Sequence, residues 1–372
     1  MLSTVVVGAG IFGGSLALRL VSSGWEVTLV EQYPPGHVRA ASGGESRLIR
    51  FSHGDNDWYT QSSRRALDLW RELERETGTE LFVPSGVAWF FSGAHGWGEA
   101  SVRVLKEQGI AAELLGPGDG ARLFPSFDGA GLDSILYEPE AGVLRARDAT
   151  RATSELAIER GVRFVTGTAA PAGDAVLVDG ERLEADRVVW AGGAWLAGLF
   201  PGLVDLRVTR QDVYFYGAPA GWQAPDVPAW VDFDVGVYGV GELDGRGFKA
   251  SPDREGPAFD PDSGERVASE EKEREAREYL ALRFPALAGA PLVGTRSCPY
   301  SLTEDTNFLV APHPEHEHVW LLGGGSGHGF KHGPALAEYV ERLLSGEDEP
   351  SEAVALGARS PGGGLRAPWI ER

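Results

Sequence analysis

Apolar residues in the first thirty positions form two short runs with a stretch of helical spacing between them. Residues 4–7 and 26–30 are apolar runs of the kind that forms fully buried strands. Between them apolar residues recur every three or four positions as far as Gly24, a suitable C-terminal stop for a helix. The helical positions are Ile11, Phe12, Leu16 and Leu20. This order predicts a strand–helix–strand unit with parallel strands and a right-handed crossover.

The rest of the chain repeats these patterns and adds another. Amphipathic helices are predicted over 63–77, 149–160, 267–284 and 334–345. A strand is predicted over 162–166, and a buried strand over 187–191. Residues 168–186 read as turns and hairpin edges, whereas short alternating runs over 206–250 predict an antiparallel sheet. We therefore expect an α/β fold with an added antiparallel layer.

Composition limits the classes of protein. A chain of 372 residues is long enough for two domains. The net charge of −20 argues against nucleic acid and anionic membranes as partners. The single cysteine excludes a disulfide framework, and the apolar stretch 188–200 is too short to span a bilayer. The first strand begins within four residues, which leaves no room for a signal peptide, so we expect a cytoplasmic protein.

A glycine-rich turn between the first strand and helix carries the first chemical signal. Gly8, Gly10 and Gly13 fit the GxGxxG pattern, and Glu31 ends the next strand. The first glycine permits the tight turn, the second lets a pyrophosphate approach the backbone, and the third permits close helix–strand packing. The helix N-terminus offers N–H groups to the phosphates, and Glu31 can accept hydrogen bonds from ribose hydroxyls. The alternative is a glycine-rich turn that binds nothing.

The spacing of this motif does not separate FAD from NAD. A second glycine-rich element, residues 190–195, follows another predicted strand and includes Gly192 and Trp195. It suits an extended cofactor that approaches the backbone at several points, although an ordinary strand-end turn has the same composition. Five histidines between His313 and His332 invite a metal hypothesis. We interpret His313 to His316 as a polar turn and expect no metal.

Three further segments make the pattern specific: residues 42–50, 297–308 and 325–331. They read SGGESRLIR, SCPYSLTEDTNF and GSGHGFK. Together with the N-terminal fingerprint they resemble the monomeric sarcosine oxidase and N-methyltryptophan oxidase family, within the wider group of D-amino-acid-oxidase-like flavoproteins. The resemblance covers residues 2–346, with the motifs in the same order and at similar spacing.

This resemblance implies a Rossmann-like FAD-binding domain interleaved with a substrate domain on a mixed or antiparallel sheet. The FAD-binding domain would comprise 1–80, 140–205 and 295–350, the substrate domain 81–139 and 206–294, and the tail 351–372. The implied substrate is an N-methyl or cyclic amino acid. Hydride transfer to the flavin would give an imine, and O2 would then be reduced to hydrogen peroxide. The enzyme is expected to be a monomer.

The resemblance also assigns roles to single residues. Cys298 matches the cysteine that attaches the flavin covalently, whereas a lone cysteine is otherwise most simply an inert core residue. Arg50 and Lys331 match the pair that clamps the substrate carboxylate, a geometry that suits a guanidinium and an ammonium. Arg47 matches an arginine beside the flavin ring that would stabilise negative charge on the reduced cofactor.

Lys249 matches the lysine that activates oxygen, where an ammonium would stabilise developing superoxide. His328 would tune the protonation of the amine or line the pocket, and Tyr238 and Tyr300 match aromatic positions around the substrate. Each of these residues has a structural alternative: a solvated lysine, a hydrogen-bonded histidine, or core tyrosines. The implied cofactor contacts are Gly8, Gly10, Ile11, Phe12, Gly13, Glu31, Gln32, Ser42, Arg47, Gly192, Trp195, Cys298, Gly325, Gly327, Gly329, Phe330 and Lys331.

Two departures from the family pattern bear on the substrate. Asp253 stands where sarcosine oxidase has a histidine, and Gly325 replaces a residue that is often bulkier. A glycine would suit a larger side chain, and Asp253 would either accept a hydrogen bond from a polar or cationic substrate or pair with Lys249. Other functions stay open. They are a flavin dehydrogenase that passes electrons to a quinone or carrier, a glycine or D-amino-acid oxidase, and a non-catalytic dinucleotide sensor.

Overall fold

The computed structural model describes residues 1–93, 96–357 and 359; most of the tail, residues 358 and 360–372, lies outside the described part. The helices described are α1 Ile11–Ser22, α2 Asp57–Thr77, α3 Gly96–Glu107, α4 Ala146–Glu159, α5 Leu196–Leu199, α6 Glu270–Arg283 and α7 Gly333–Ser345. The strands described are β1 Ser3–Val7, β2 Glu26–Glu31, β3 Ser46–Ile49, β4 Phe82–Val83, β5 Val87–Phe91, β6 Glu113–Leu115, β7 Ser134–Glu138, β8 Gly142–Arg145, β9 Arg163–Thr166, β10 Ala169–Ala172, β11 Ala175–Val178, β12 Glu181–Leu183, β13 Arg187–Trp190, β14 Arg207–Tyr216, β15 Ala229–Asp232, β16 Val237–Val240, β17 Phe248–Pro252, β18 Leu292–Leu302, β19 Leu309–Pro312 and β20 Val319–Gly323.

A six-stranded sheet has the order β19-β20-β13-β1-β2-β9. Its strands are parallel except for β19, and β1 and β2 pair as the fingerprint predicted. Val5 and Val7 pack into one core cluster and Val6 into another, so both faces of the sheet are covered at β1. Because neither face meets solvent there, β1 is apolar at consecutive positions. The carboxyl end of β1 lies between β13 and β2, which is where open α/β sheets bind their ligands.

An eight-stranded sheet has the order β18-β14-β17-β16-β15-β5-β7-β6. The expectation of an antiparallel sheet over 206–250 is wrong at one point, because β15 pairs with β5 in parallel. The sheet is therefore mixed, and the predicted fold class is confirmed. Alternate residues of β17 face opposite sides: Phe248 and Ala250 enter a core with Trp230, which leaves Lys249 and Ser251 on the other face.

Two smaller sheets differ from what the sequence predicted. Residues 168–186, expected as turns and hairpin edges, contain the three-stranded antiparallel sheet β10-β11-β12. A second small sheet, β3-β8-β4, carries the segment with Arg47 and is built partly from strands that the sequence analysis did not predict. Strand β18 crosses the predicted boundary at residue 295, and the division into domain segments stays a prediction.

Helix boundaries follow local capping. Helix α2 begins six residues before the predicted 63, because the Asn56 side chain accepts a hydrogen bond from the Tyr59 N–H at 3.2 Å. It ends at Gly78, whose φ of 65° is left-handed. Helix α4 also starts earlier than predicted, at Ala146. Within the described ranges, no helix is long and apolar enough to cross a membrane.

Candidate active site

A long cavity at the carboxyl end of β1 has the form of a dinucleotide cradle. A Cβ on Gly8 would lie 2.5 Å from the Ala191 carbonyl oxygen, and one on Gly13 would lie 1.9 Å from that of Gly8. Gly8 and Gly10 line the cavity, whereas Gly13 instead lets α1 pack on β1. Ser42 Oγ accepts a hydrogen bond from the Ile11 N–H at 3.0 Å and so holds the loop against the helix N-terminus. The site residues lining the cavity are Gly8, Gly10, Glu31, Gln32, Ser42, Gly192 and Trp195.

Glu31 holds two turns at the edge of the cradle. Its carboxylate accepts hydrogen bonds from the backbone N–H groups of Ala9 at 2.7 Å, Gln32 at 2.9 Å and Tyr33 at 3.1 Å. Burial raises the pKa of Glu31, while these three hydrogen bonds oppose that rise. The carboxylate thus fixes the turns after β1 and β2, and it lines the same cavity as the glycines.

A segment of the other half of the molecule closes the cradle, and sequence reasoning missed it. We define the strap as residues 260–262, which line the same cavity as the glycines. The Trp195 Nε1–H donates to Asp262 Oδ1 at 2.8 Å, and Arg39 donates to the Asp262 carbonyl oxygen at 2.8 Å. Arg266 donates to the Pro261 carbonyl oxygen at 3.0 Å. No motif marked these residues, because the contact depends on tertiary packing alone.

A second cavity continues from the cradle toward β18, and we call it the flavin-ring cavity after the group that the sequence analysis expects there. Its site residues are Gly10, Ile11, Phe12, Ser42, Arg47, Tyr300, Gly325, Gly327, Gly329 and Phe330. A Cβ on Gly329 would lie 2.7 Å from the Phe12 ring, so only glycine keeps this loop close to α1. The Trp70 Nε1–H donates to the Lys331 carbonyl oxygen at 2.9 Å and fixes the end of the loop. These residues fit an extended FAD.

Cys298 lies beside this second cavity on β18. It is 2% exposed and lies near the Arg47 guanidinium; burial lowers the pKa of Arg47, but the neighbouring thiol and the tyrosines Tyr238 and Tyr300 outweigh that effect and raise it. Arg47 is fixed by hydrogen bonds to the carbonyl oxygens of Ser46 at 2.7 Å and Ala41 at 2.6 Å. Cys298 thus lies next to a fixed cation, and the two residues that follow it, Pro299 and Tyr300, line the second cavity.

A third cavity adjoins the flavin-ring cavity, with which it shares Arg47, Tyr300, Gly327 and Phe330. The remaining lining residues are Leu48, Arg50, Trp89, Val231, Tyr238, Asp253, His328 and Lys331. We call it the substrate cavity. The structure therefore places Arg50 and Lys331, which are 281 positions apart in the chain, around one small space.

Arg50, which is half-buried, and Lys331, which is buried, are each held by a fixed contact. The Arg50 guanidinium lies 4.8 Å from the centroid of the Trp89 ring and donates to the Ser52 carbonyl oxygen. Lys331 Nζ donates to the His328 carbonyl oxygen at 2.9 Å. Burial and the charge of Arg50 hold the pKa of Lys331 well below its usual range. An anion bound between the Arg50 and Lys331 side chains would favour the charged form of Lys331 and so oppose the lowering of its pKa.

Glu138 supports this pair from behind, and sequence reasoning missed it. Its side chain is fully buried and accepts hydrogen bonds from the Trp89 Nε1–H at 2.7 Å and the Phe51 N–H at 2.6 Å. It also accepts one from the Ser52 N–H at 3.2 Å. The carboxylate fixes the Trp89 ring and the backbone beside Arg50, and its charge opposes the depression of the Lys331 pKa.

Lys249 packs against Tyr238, a lining residue of the substrate cavity, and does not itself line the cavity. Its Nζ is 4.7 Å from the centroid of the Tyr238 ring, and the residue is 2% exposed. Burial and the nearby charge of Arg47 lower the pKa of Lys249 to about 7. The Tyr300 hydroxyl donates to Asp253 Oδ1 at 3.3 Å, and Tyr238 and Tyr300 are hydrogen-bonded to each other.

His328 lines the substrate cavity and is held by two contacts. Its Nε2 lies 2.9 Å from the Thr306 carbonyl oxygen, and its ring stacks on Phe308 with centroids 5.0 Å apart. Two further buried histidines, His53 and His332, lie behind it with ring centroids 5.5 Å apart. Burial and the nearby cations Arg50 and Lys331 keep the pKa values of both well below the usual range, so both are neutral at pH 7. No group of three potential metal ligands occurs among the described residues.

Comparison with known proteins agrees with this arrangement. The family DAO, FAD dependent oxidoreductase, matches residues 3–343. The chain belongs to this family. The monomeric sarcosine oxidase of Bacillus sp. (strain B-0618) is 30% identical over 363 residues, covering 93% of each chain. The N-methyl-L-tryptophan oxidase of Yersinia pestis (strain Pestoides F) is 25% identical and covers 93% of this chain and 95% of its own.

Solved structures share the fold of this FAD-dependent oxidoreductase. L-proline dehydrogenase from P. horikoshii superposes with a TM-score of 0.83 at 20% identity, covering 94% of each chain. Fructosyl amine: oxygen oxidoreductase (Amadoriase I) from Aspergillus fumigatus gives 0.78 at 23% identity, covering 95% of this chain and 89% of its own. The predicted resemblance to the sarcosine oxidase family and the predicted FAD-dependent oxidoreductase are confirmed.

Proposed function

We propose that this protein is an FAD-dependent oxidase of an N-substituted amino acid, with an N-methyl or cyclic amine. It would oxidise a CH–NH bond to an imine and reduce O2 to hydrogen peroxide. The observation that carries the proposal is the substrate cavity, where the cations of Arg50 and Lys331 share one space with residues that also line the flavin-ring cavity. A carboxylate bound by this pair would place the rest of the substrate beside the flavin.

The chain's own residues would hold the cofactor at three points. The cradle around Gly8 and Gly10 would take the pyrophosphate, the loop 325–330 would take the ring, and Cys298 would attach it covalently. When bound, FAD accepts a hydride from the carbon next to the substrate nitrogen and passes the electrons to O2. The position of Cys298 supports attachment, because the residues that follow it, Pro299 and Tyr300, line the flavin-ring cavity.

Substrate positioning accounts for most of what the pocket residues do. Arg50 can grip a carboxylate through two parallel hydrogen bonds, while Lys331 adds a point charge. The aromatic walls of Trp89, Tyr238 and Phe330 exclude water and orient the amine. A neutral amine bound in this way needs no strong general base in the pocket.

Lys249 supports an oxidase rather than a dehydrogenase. A buried ammonium beside the cavity would stabilise the negative charge that develops on oxygen as it takes up electrons. Arg47 would balance negative charge that builds up on the reduced cofactor. We further propose that the enzyme acts as a monomer on a small amino acid and O2.

The proposal is tested by peroxide formation with matched substrates. The panel contains sarcosine, N-methyl-L-tryptophan, L-proline and pipecolate, together with amines that lack the carboxylate. We expect peroxide only from the amino acids, and a loss in kcat/KM of about 30-fold or more in Arg50→Gln and Lys331→Gln, since each change leaves a buried charge unpaired.

The exposed Lys106 is the control for that experiment, and Lys106→Gln should keep the parent rate. Equal rates with and without the substrate carboxylate would contradict the role given to Arg50 and Lys331. Flavin reduction by amino acids followed by slow reaction with O2 would instead identify a dehydrogenase that uses another electron acceptor.

A further inference from the structure

The turn between β18 and β19, residues 303–308, contacts a residue that lines the substrate cavity. The Thr306 carbonyl oxygen lies 2.9 Å from His328 Nε2, and the Phe308 ring stacks on the His328 ring with centroids 5.0 Å apart. The His328 carbonyl oxygen in turn accepts a hydrogen bond from Lys331 Nζ at 2.9 Å. The position of this β18–β19 turn is therefore coupled to two residues of the substrate cavity.

The β18–β19 turn has a backbone conformation that side-chain contacts maintain. Thr306 has a left-handed φ of 60°, which is unfavourable for a β-branched residue. The Asp305 carboxylate accepts hydrogen bonds from the N–H and the side-chain amide of Asn307, both at 3.0 Å. The Tyr59 hydroxyl donates to Asn307 Oδ1 and accepts from the Phe308 N–H, both at 3.1 Å. Asp305 thus joins the two residues that flank Thr306.

Arg359, which follows helix α7 in the chain, holds Asp305 in place. Its Nη1 donates to Asp305 Oδ1 at 2.8 Å, and its Nη2 donates to the carbonyl oxygens of Phe308 at 3.1 Å and Ala355 at 2.8 Å. The side chains of Arg359 and Asp305 are only 11% and 17% exposed. Burial raises the pKa of Asp305, but the hydrogen bonds from Arg359 and Asn307 outweigh that effect and lower it, so the carboxylate is charged at pH 7.

The segment that precedes Arg359 is anchored in the core. Val354, in the short helical turn Glu352–Val354, is 4% exposed and packs in the same core cluster as Tyr59 and Phe308. The Ser351 N–H donates to the Tyr339 hydroxyl at 3.0 Å. Arg359 does not line the substrate cavity, so any effect that it has on a bound substrate must pass through the β18–β19 turn.

We propose that Arg359 is a positioning residue for substrate binding, because it fixes the β18–β19 turn that holds His328 and, through the His328 carbonyl oxygen, the Lys331 ammonium. The inference rests on the proposed function, which assigns Lys331 to the substrate carboxylate. Residues that bind a ligand need such support from residues behind them to keep their geometry. Without Arg359 the turn would loosen, and the carboxylate would bind more weakly although Arg50 is unchanged.

A double-mutant cycle on the FAD-loaded enzyme tests this route. The ligand is (methylthio)acetate, a carboxylate in which sulfur replaces the reacting amine, so that no imine can form. Its Kd is measured by flavin absorbance, or by calorimetry if the absorbance does not change. We expect Arg359→Ala to raise Kd about tenfold, the lower end of the range for a hydrogen bond to a charged group, because Lys331 is displaced rather than removed. In a Lys331→Gln background the rise should be less than about threefold, since the two residues act through one contact.

Arg359→Lys keeps a cation beside Asp305 but lacks the planar fork that also reaches the two carbonyl oxygens, so its Kd should lie between those of the parent and Arg359→Ala. If Arg359→Ala does not fold, Arg359→Lys decides, with a rise in Kd that is absent in the Lys331→Gln background. Arg182→Ala, at an exposed arginine, is the matched control and should leave Kd unchanged. An unchanged Kd in the Arg359 variants, or an equal rise in both backgrounds, would show that Arg359 supports only the fold and would overturn the proposal.

A second readout needs neither ligand nor turnover. The chain has four lysines, at positions 106, 249, 272 and 331, so protein labelled with ¹³C at lysine Cε gives four signals, and Lys331→Gln identifies that of Lys331. We expect the Lys331 signal to shift in Arg359→Ala or Arg359→Lys, while that of the exposed Lys106 stays in place. An unshifted Lys331 signal overturns the inference whether or not any amino acid is oxidised. Failure of every amine to reduce the flavin overturns the proposed oxidase but leaves this comparison intact.

Discussion

Three cationic residues line two adjoining cavities in a chain whose net charge is −20: Arg47, Arg50 and Lys331. A fourth, Lys249, is buried against the Tyr238 ring next to them. Their buried or half-buried positions strengthen every interaction with a bound anion, because the local dielectric is low. Each has a distinct fixed partner, such as the Trp89 ring for Arg50 and the His328 carbonyl oxygen for Lys331. The site thus attracts a carboxylate locally although the protein as a whole repels anions.

Lys249 gives the sharpest prediction at the residue scale. In Lys249→Met we expect the reduced enzyme to react with O2 about 10²- to 10³-fold more slowly, since one preorganised charge is lost. Anaerobic flavin reduction by substrate should change only a few-fold, because Lys249 does not line the substrate cavity. Stopped-flow measurement of the two half-reactions separates these effects, with Lys106→Met as the control. A variant that reacts with O2 at the parent rate would contradict the assignment.

The pH dependence of the oxygen reaction follows from the same side chain. Burial and Arg47 lower the pKa of Lys249 to about 7, and a lysine is charged below its pKa. The reaction with O2 should therefore be fastest below about pH 7 and fall as the pH rises through that value. The parent profile should lose this step in Lys249→Met. A step that persists in the variant would belong to another group.

The proposed role of Cys298 leads to a prediction that can be tested without a substrate. We expect acid-precipitated parent protein to keep its yellow colour in the pellet. Cys298→Ser should release the colour to the supernatant while the native variant still binds FAD in the cradle. Absorbance of the two fractions measures this directly. Colour in the supernatant of the parent protein would remove covalent attachment and leave the rest of the site unchanged.

At the scale of elements, the site depends on a strand whose residues point alternately to the core and to the site, and on the strap. Strand β17 presents Phe248 and Ala250 to the core and Lys249 to the site, so one short strand serves both. The strap, residues 260–262, crosses from the half built on the eight-stranded sheet to the nucleotide cradle. Its side-chain hydrogen bond, Trp195 to Asp262, joins the two halves beside the cofactor.

Removing that hydrogen bond should loosen the nucleotide end of the cofactor. In a Cys298→Ser background, where FAD can dissociate, we expect Asp262→Ala to raise the Kd for FAD about five- to tenfold, as for one hydrogen bond of about 1 kcal/mol. Fluorescence titration with FAD measures the change. Asp226→Ala is the matched control, and an unchanged Kd in Asp262→Ala would show that the strap does not hold the cofactor.

At the scale of the whole molecule, sequence predicts what is local and misses what depends on tertiary packing. The fingerprint with Gly8 and Glu31 was predictable because a strand, a turn and a helix lie within 31 consecutive residues. Strand β5 was missed because all five of its residues are buried, so no alternation marks it. Helix α2 was predicted, but its start was not, because the Asn56 cap lies outside the apolar pattern.

The same division applies to the site. The motifs at 42–50 and 325–331 identify Arg50 and Lys331, but only the fold places them around one cavity. Glu138 and Asp262 carry no motif, and their partners Phe51 and Trp195 are 87 and 67 positions away in the chain. Such contacts follow from tertiary packing of β7 and the strap, which short-range patterns do not encode.

The central claim is that an N-substituted amino acid reduces FAD in this protein and that O2 takes the electrons. Anaerobic titration of the purified holoprotein with sarcosine, N-methyl-L-tryptophan, L-proline and pipecolate, followed by admission of air, tests it directly. The account predicts that at least one of them bleaches the visible flavin absorbance, and that air restores it with one equivalent of hydrogen peroxide per flavin. Full FAD occupancy with no bleaching by any of them, or recovery without peroxide, would contradict it.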